Sequence, residues 1–216
     1  MTATRTPDRA PVETKRLNDD LTSRWLPLAG VGYSVLTVAS DLVIDKFPDE
    51  STSPAALVKY YASHHAQVHR GGELMAIATI FLGLFVAGLV VRCRHHFGAA
   101  ATMAVGGAAM LAAEIASAST YALLGSVSIQ QDLTPGALQA WHIDGAAFGI
   151  GMATVVLLMG VAMAGIIGRA IPAWLGWTAL VLAVARFTPV GFLASLVTLL
   201  WVLVAGVVLT ARTTTD

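Results

Sequence analysis

The chain has 216 residues, of which 56% are hydrophobic and 12% are charged, and its formal net charge is zero. Soluble domains carry about 25% charged residues, so this composition excludes an ordinary soluble fold and indicates an integral membrane protein whose solvent is the lipid bilayer. The balanced charge and the lack of a basic stripe with interleaved aromatic residues argue against a nucleic-acid partner.

The first 24 residues form a polar segment in which basic and acidic side chains are mixed without an apolar core. A cleavable signal peptide needs an apolar stretch of about 7–15 residues. We therefore expect residues 1–24 to be a flexible cytoplasmic tail, and we expect the first apolar stretch to direct membrane insertion.

Six apolar stretches follow this tail. A transmembrane helix needs about 20 predominantly apolar residues. The six candidates are residues 25–44, 72–91, 99–124, 138–167, 172–187 and 191–211. They predict an all-α, polytopic membrane helix bundle with six transmembrane helices in one domain over residues 25–211, followed by a short cytoplasmic tail at residues 212–216. The tight turn predicted at Thr188-Pro189-Val190-Gly191 would make the last two helices a hairpin.

A separate helix is predicted between the first and second spans. Ser53 is a suitable N-cap, and Pro54 fits the first helical position. The predicted helix reaches His69, and Gly71-Gly72 is expected to break or bend it before the second span. We interpret it as one interfacial helix lying on the membrane surface. Its apolar face carries Leu57, Tyr61, His65 and Val68.

The distribution of Lys and Arg predicts the orientation, because cytoplasmic loops of membrane proteins are enriched in these residues. With the N-terminus inside, nine basic residues fall on the cytoplasmic side and four on the outer side. The cytoplasmic residues are Arg5, Arg9, Lys15, Arg16, Arg24, Arg92, Arg94, Arg169 and Arg212. The outer residues are Lys46, Lys59, Arg70 and Arg186. The sequence therefore predicts an N-in, C-in topology.

Small residues recur at a spacing of three or four residues in the third and fourth spans. They are Ala101, Ala104, Ala108 and Ala112 in the third span and Gly145 and Gly149 in the fourth. Such positions let helix backbones approach closely in lipid. We therefore expect the third and fourth spans to form the centre of the bundle.

Six ionisable residues lie inside these apolar stretches or at their edges, where a charge at mid-bilayer costs at least about 2.5 kcal/mol. In the predicted topology all six map to the outer third of the bundle. They are Asp41, Glu73, Glu114, His142, Asp144 and Arg186. We predict that these side chains share one polar environment, with Glu114 the deepest.

Three hypotheses follow from this predicted cluster. In the first, four carboxylates against one guanidinium form an outward-facing acidic pocket that binds a small polar or cationic ligand, either a small molecule or a lipid. In the second, the protein is a membrane-embedded hydrolase or cyclase in which Glu114 or Asp144 acts as an acid. In the third, it is a structural or regulatory membrane subunit whose polar residues only fix the packing of the helices.

The second hypothesis has a zinc-dependent variant. His65 and His69 are four residues apart, so they share one helix face, as chelation of Zn²⁺ requires. His142 and Asp144 are candidates to complete a tetrahedral site. The alternative is that these histidines simply lie in the headgroup zone, since the chain has no H-E-x-x-H signature. The default expectation is a protein without a cofactor.

Residues 141–179 read WHIDGAAFGIGMATVVLLMGVAMAGIIGRAIPAWLGWTA. This run, with Ile171-Pro172-Ala173-Trp174-Leu175-Gly176 opening the fifth span, resembles a family of six-helix membrane proteins of the actinobacterial type, catalogued as a domain of unknown function. The segment 66–72 before the second span is similar to the family as well. The chain departs from the family pattern in the double histidine and in the extra glycine before Glu73. The resemblance implies six transmembrane helices in a bacterial plasma membrane, and it implies no activity.

Overall fold

The computed structural model of the chain describes residues 25–44, 48, 52–126, 146–188 and 191–212. This part consists of six α-helices, preceded by a short 3₁₀ turn at Leu26–Leu28. The helices are α1 (Ala29–Ile44), α2 (Pro54–Arg92), α3 (Phe97–Leu124), α4 (Ala146–Ile166), α5 (Ala173–Ala185) and α6 (Gly191–Arg212). No strand occurs among these residues, so the all-α prediction is confirmed.

Four helical segments of the described chain are long and apolar enough to cross a membrane. They are Leu26–Ile44, Pro54–Arg92, Phe97–Leu124 and Leu193–Arg212. Ile150–Ile166 and Ala173–Ala185 are shorter apolar helices, and residues 138–145 of the fourth predicted span lie outside the described residues. The structure therefore supports a helical membrane protein with four candidate spans.

Helices α1 and α2 run antiparallel, because their contacts pair opposite ends. The Ser40 hydroxyl, near the end of α1, donates to the Gly71 carbonyl at 2.9 Å. At the other end, a methyl group on Gly88 would lie 2.8 Å from Leu26 Cβ. Contacts between the following helices have the same reversed order, so the described helices alternate in direction along the chain.

Helix α6 returns to the first helix of the bundle. The Ser34 hydroxyl on α1 donates to the Leu199 carbonyl on α6 at 2.9 Å. A methyl group on Gly206 would lie 2.8 Å from the Pro27 carbonyl oxygen, so these two helices are also antiparallel. Helix α1 is therefore held between α2 and α6.

One end of the bundle collects several arginines. Arg92 Nη1 donates to the Leu209 carbonyl oxygen at 3.3 Å, which joins the ends of α2 and α6. A methyl group on Gly168 would lie 3.0 Å from the His96 ring, so the α2–α3 and α4–α5 turns are neighbours. We call this the arginine end. The arginines that belong to it are Arg92, Arg94, Arg169 and Arg212.

Helices α3 and α4 approach closely where each has a glycine. A methyl group on Gly160 would lie 2.7 Å from the Met103 backbone nitrogen, and one on Gly106 would overlap the Leu157 backbone nitrogen. In lipid, such small residues let two backbones come together without a hydrophobic driving force. The third and fourth spans therefore pack closely, and their predicted position at the centre of the bundle stays a prediction.

The residues predicted to mediate this contact were wrong in α3. Ala104, Ala108 and Ala112 are exposed on the outside of the helix, and Gly145 lies outside the described residues. A spacing of four defines a helix face but does not say which way that face turns. Glycine decides the contact because even one methyl group would not fit.

Helix α2 spans 39 residues and consists of two helical pieces that meet at a kink at His64. The predicted helix after Ser53 is therefore present, but the predicted break at Gly71-Gly72 was wrong, because the kink lies at His64. The position of the first piece on the membrane surface stays a prediction. The predicted N-cap is confirmed, since the Ser53 side chain accepts a hydrogen bond from the Ala56 nitrogen at 3.4 Å. The backbone of α2 leaves helical geometry only at His64, with φ −115° and ψ 17°.

The two glycines serve helix packing instead of breaking α2. A methyl group on Gly71 would lie 2.5 Å from Ile44 Cδ1 on α1, and one on Gly72 would lie 2.9 Å from the Ala122 nitrogen on α3. The apolar face before them is covered by protein, because three of its four members are buried against the ends of α1 and α3. Those three are Leu57, Tyr61 and Val68. The first half of α2 therefore packs on the bundle.

Gly106→Leu should lower the free energy of unfolding by about 1–3 kcal/mol, because the new side chain meets the α4 backbone. Ala108→Leu is the matched control, since it adds the same side chain two residues away on an exposed face of α3 and should change stability by less than about 0.5 kcal/mol. Thermal unfolding in detergent measures both variants. Equal stabilities would contradict the close α3–α4 contact.

Candidate functional site

A cavity of about 200 Å³ lies between α1, α3, α4, α6 and the end of α5. Seven polar side chains line it, namely Tyr33, Thr37, Glu114, Thr154, Arg186, Ser195 and Thr198. Its apolar lining consists of Met110, Ile150, Leu199 and Val202. We call it the Glu114 cavity. Thr37 is seven residues from the end of α1 at Ile44, which places the cavity about 10 Å from the end of the bundle opposite the arginine end.

Glu114 is the acidic group of the cavity. It is 4% exposed and accepts a hydrogen bond at 3.0 Å from the Tyr33 hydroxyl, which is itself on a side chain only 3% exposed. A carboxyl group buried without a partner would be costly, so this bond offsets part of the cost. It also ties α3 to α1, two helices that are not consecutive in the chain.

The threonine and serine hydroxyl groups that line the cavity each donate to a carbonyl oxygen of their own helix, and the Thr154 hydroxyl also lies 3.7 Å from Met110 Sδ on α3. Thr37 donates to the Tyr33 carbonyl at 2.9 Å, Thr154 to the Ile150 carbonyl at 2.7 Å and Thr198 to the Ala194 carbonyl at 2.6 Å. Ser195 does the same, to the Gly191 carbonyl at 3.1 Å. A hydroxyl has one proton and two lone pairs, so these oxygens keep only acceptor capacity. They are suited to receive a hydrogen bond from a donor in the cavity.

Arg186 is the one cation that lines the cavity within the described part of the chain. Its backbone caps the end of α5, and its side chain reaches α4, where Nη1 lies 4.0 Å from the position that a Cβ on Gly151 would take. Arg186 Nε is buried and has no hydrogen-bond partner among the described residues. Within the same residues no ion pair joins it to Glu114; the salt bridge that is present there is between His69 and Glu73.

Of the six residues predicted to share one environment, four lie in the described part of the chain, and only two of these line the same cavity. Glu114 and Arg186 line the same cavity. Asp41 is exposed on α1 and is not part of the lining, and His142 and Asp144 lie outside the described residues. The assignment of these six as ligand-binding residues stays a prediction.

Glu73 belongs to a different surface. Its side chain is 61% exposed, and it lines an apolar groove between α2 and α3. Gly71 faces α1 and Gly72 faces α3; the next residue is rotated a further 100° around the helix, as 3.6 residues per turn require. The close packing of the two glycines therefore turns Glu73 outward.

The predicted zinc ligands have other contacts. His69 Nε2 lies 3.5 Å from Glu73 Oε1, and its Nδ1 lies 3.2 Å from the Ala122 carbonyl oxygen. His65 Nδ1 lies 3.2 Å from the Ala62 carbonyl oxygen in its own helix. Among the described residues no three His, Cys, Asp or Glu side chains converge as a metal site would need. His142 is outside them, so the zinc variant stays a prediction.

The sequence analysis missed the hydroxyl residues of the cavity and the contribution of α6. Tyr33 and Thr37 are four residues apart, and Ser195 and Thr198 are three apart, so each pair lies on one helix face. Hydroxyl groups repeated at this spacing within an apolar span were the available signal. They carry no charge, which is why a search for ionisable residues passed over them.

Tyr33→Phe should lower the free energy of unfolding by about 1–3 kcal/mol, because Glu114 would remain buried without its donor. Glu114→Gln keeps the acceptor oxygen, and combining it with Tyr33→Phe completes a double-mutant cycle. The two changes should couple by at least about 0.5 kcal/mol. Strictly additive effects in detergent unfolding would mean that the Tyr33–Glu114 hydrogen bond contributes nothing.

No family model matches the chain, and comparisons with curated proteins and with solved structures also found no match.

Proposed function

We propose that this chain is a multi-pass protein of a bacterial plasma membrane that binds a small polar or cationic ligand in the Glu114 cavity. The observation that carries the proposal is the chemistry of the lining. The cavity is lined by a deeply buried carboxyl group and by four hydroxyl groups that already donate to backbone carbonyl oxygens. All five groups can accept hydrogen bonds from a ligand. Such a lining suits a ligand that donates hydrogen bonds or carries positive charge.

The proposal includes six crossings with both termini in the cytoplasm. The alternating helix directions support it, because each described helix runs opposite to the one before it. Helix α4 has 21 residues, whereas α5, with 13, is shorter than a full span. The arginine end supports the orientation, because positive residues favour the cytoplasmic side. In this orientation the Glu114 cavity lies in the outer half of the membrane.

Methylammonium is a suitable first probe, because it is a small cation that donates hydrogen bonds. At saturating concentration it should raise the thermal midpoint of the purified protein in detergent by about 2 °C or more. Glu114→Gln should remove this stabilisation while the protein still folds, since the amide oxygen still accepts a hydrogen bond from Tyr33. Glu73→Gln is the matched control, because it changes an exposed carboxylate outside the cavity, and it should leave the shift unchanged.

Two outcomes would overturn the proposal. If methylammonium and other small amines give no shift with the unaltered protein, the cavity does not bind cations. If Glu114→Gln keeps the full shift, Glu114 serves only to fix the packing of α1 against α3. Either result would favour a structural or regulatory subunit.

The orientation can be tested by labelling Lys59→Cys and Arg212→Cys in intact bacterial cells with a membrane-impermeant maleimide. Lys59→Cys should react in intact cells, and Arg212→Cys should react only after permeabilisation. The native Cys93 is a low background, since it is fully buried and this burial raises the pKa of its thiol to about 11, and thiols react as thiolates. The reverse labelling pattern would contradict the N-in, C-in topology.

A further inference from the structure

We infer that the ligand of the Glu114 cavity is a small zwitterion, with a cationic group for Glu114 and an anionic group for Arg186. The inference rests on the proposed function and makes it more specific. It starts from two opposite charges that line one cavity of about 200 Å³. Within the described residues these two side chains do not form an ion pair with each other.

A purely cationic ligand would not account for the positively charged Arg186 in the lining of the cavity. A guanidinium group stays charged in proteins and carries five N–H donors, and a donor that is buried without a partner is costly. The Arg186 side chain is half-buried. Arg186 Nε is buried without a hydrogen-bond partner in the described part of the chain. A cation alone would be repelled by this group, whereas a carboxylate would satisfy it, because the fork of an arginine matches two carboxylate oxygens.

The other polar residues of the lining indicate which end of such a ligand binds where. The hydroxyl oxygens of Thr37, Thr154 and Thr198 act as acceptors, since their protons are already donated to backbone carbonyls. They can therefore join Glu114 in binding an ammonium group, whereas donating to a carboxylate would require them to give up these backbone hydrogen bonds. The anionic end is left to Arg186.

The size and apolar part of the cavity restrict the class further. A volume of about 200 Å³ corresponds to about six or seven water-sized groups at about 30 Å³ each. The apolar lining residues suit methylene groups and offer no further polar contacts; they are Met110, Ile150, Leu199 and Val202. A short ω-amino acid, with one to three methylene groups between its ammonium and carboxylate groups, fits these requirements.

The test compares glycine, β-alanine and 4-aminobutyrate with methylammonium and with propionate, using the full-length protein in detergent and thermal unfolding over a range of ligand concentrations. At least one of the three amino acids should bind about ten-fold or more tightly than either single-charge probe, since a carboxylate–guanidinium contact is a charge-assisted hydrogen bond. Arg186→Gln should reduce amino-acid affinity to that of methylammonium and leave methylammonium binding no weaker. Arg70→Gln is the matched control, because it removes an exposed arginine of α2 outside the cavity.

The outcomes separate this inference from the function on which it rests. If methylammonium binds as tightly as every amino acid, and Arg186→Gln changes neither, the ligand is a simple cation and only the inference fails. If no probe stabilises the unaltered protein, both fail. Should Arg186→Gln not fold, the ranking of the five probes on the unaltered protein decides the matter, and amino acids that bind no better than amines overturn the inference.

Discussion

The structure depends on the rule that a polar group inside an apolar helix must find its partner on another helix, because lipid offers none. Glu114 meets this rule through Tyr33, whose hydroxyl donates to it at 3.0 Å. The bond joins α3 to α1, which are separated in the chain by the whole of α2. It therefore fixes the rotation of both helices and brings the hydroxyl groups of α1, α4 and α6 to the same level.

Glycine determines how closely the helices can pack and, through that, which side chains reach the cavity. Gly106 and Gly160 bring α3 and α4 together, and Gly71 and Gly72 seat α2 against α1 and α3. The contact of Gly71 and Gly72 has a chemical consequence, because it turns Glu73 away from the centre of the bundle and so lowers the number of carboxyl groups in the cavity. Among the residues that the structure describes, the cavity therefore holds one carboxyl group and one guanidinium group, and this balance of charge is the basis for a ligand that carries both signs.

Much of the helical architecture could be predicted from the sequence. The first span was expected to end at Ile44 and the third at Leu124, and α1 and α3 end at these residues; the N-cap at Ser53 was also correct. These features follow from local properties, namely apolar length and the chemistry of the first helical turn. The position of the break in α2 was predicted wrongly, at Gly71-Gly72 instead of at His64. A glycine pair weakens a helix in isolation but is tolerated where neighbouring helices fill the space beside it.

By itself the sequence determined that this is a helical membrane protein with charged residues that need partners, since composition and spacing are local and lipid makes an unpartnered charge costly. Only the tertiary structure decided which of those residues meet. Glu114 and Arg186 line one cavity while Asp41 and Glu73 remain outside it, because the rotation of each helix is set by backbone-to-backbone contacts at glycines on other helices. The hydroxyl groups that line the cavity could likewise be recognised only from the tertiary structure, since their role depends on the direction in which each helix face points.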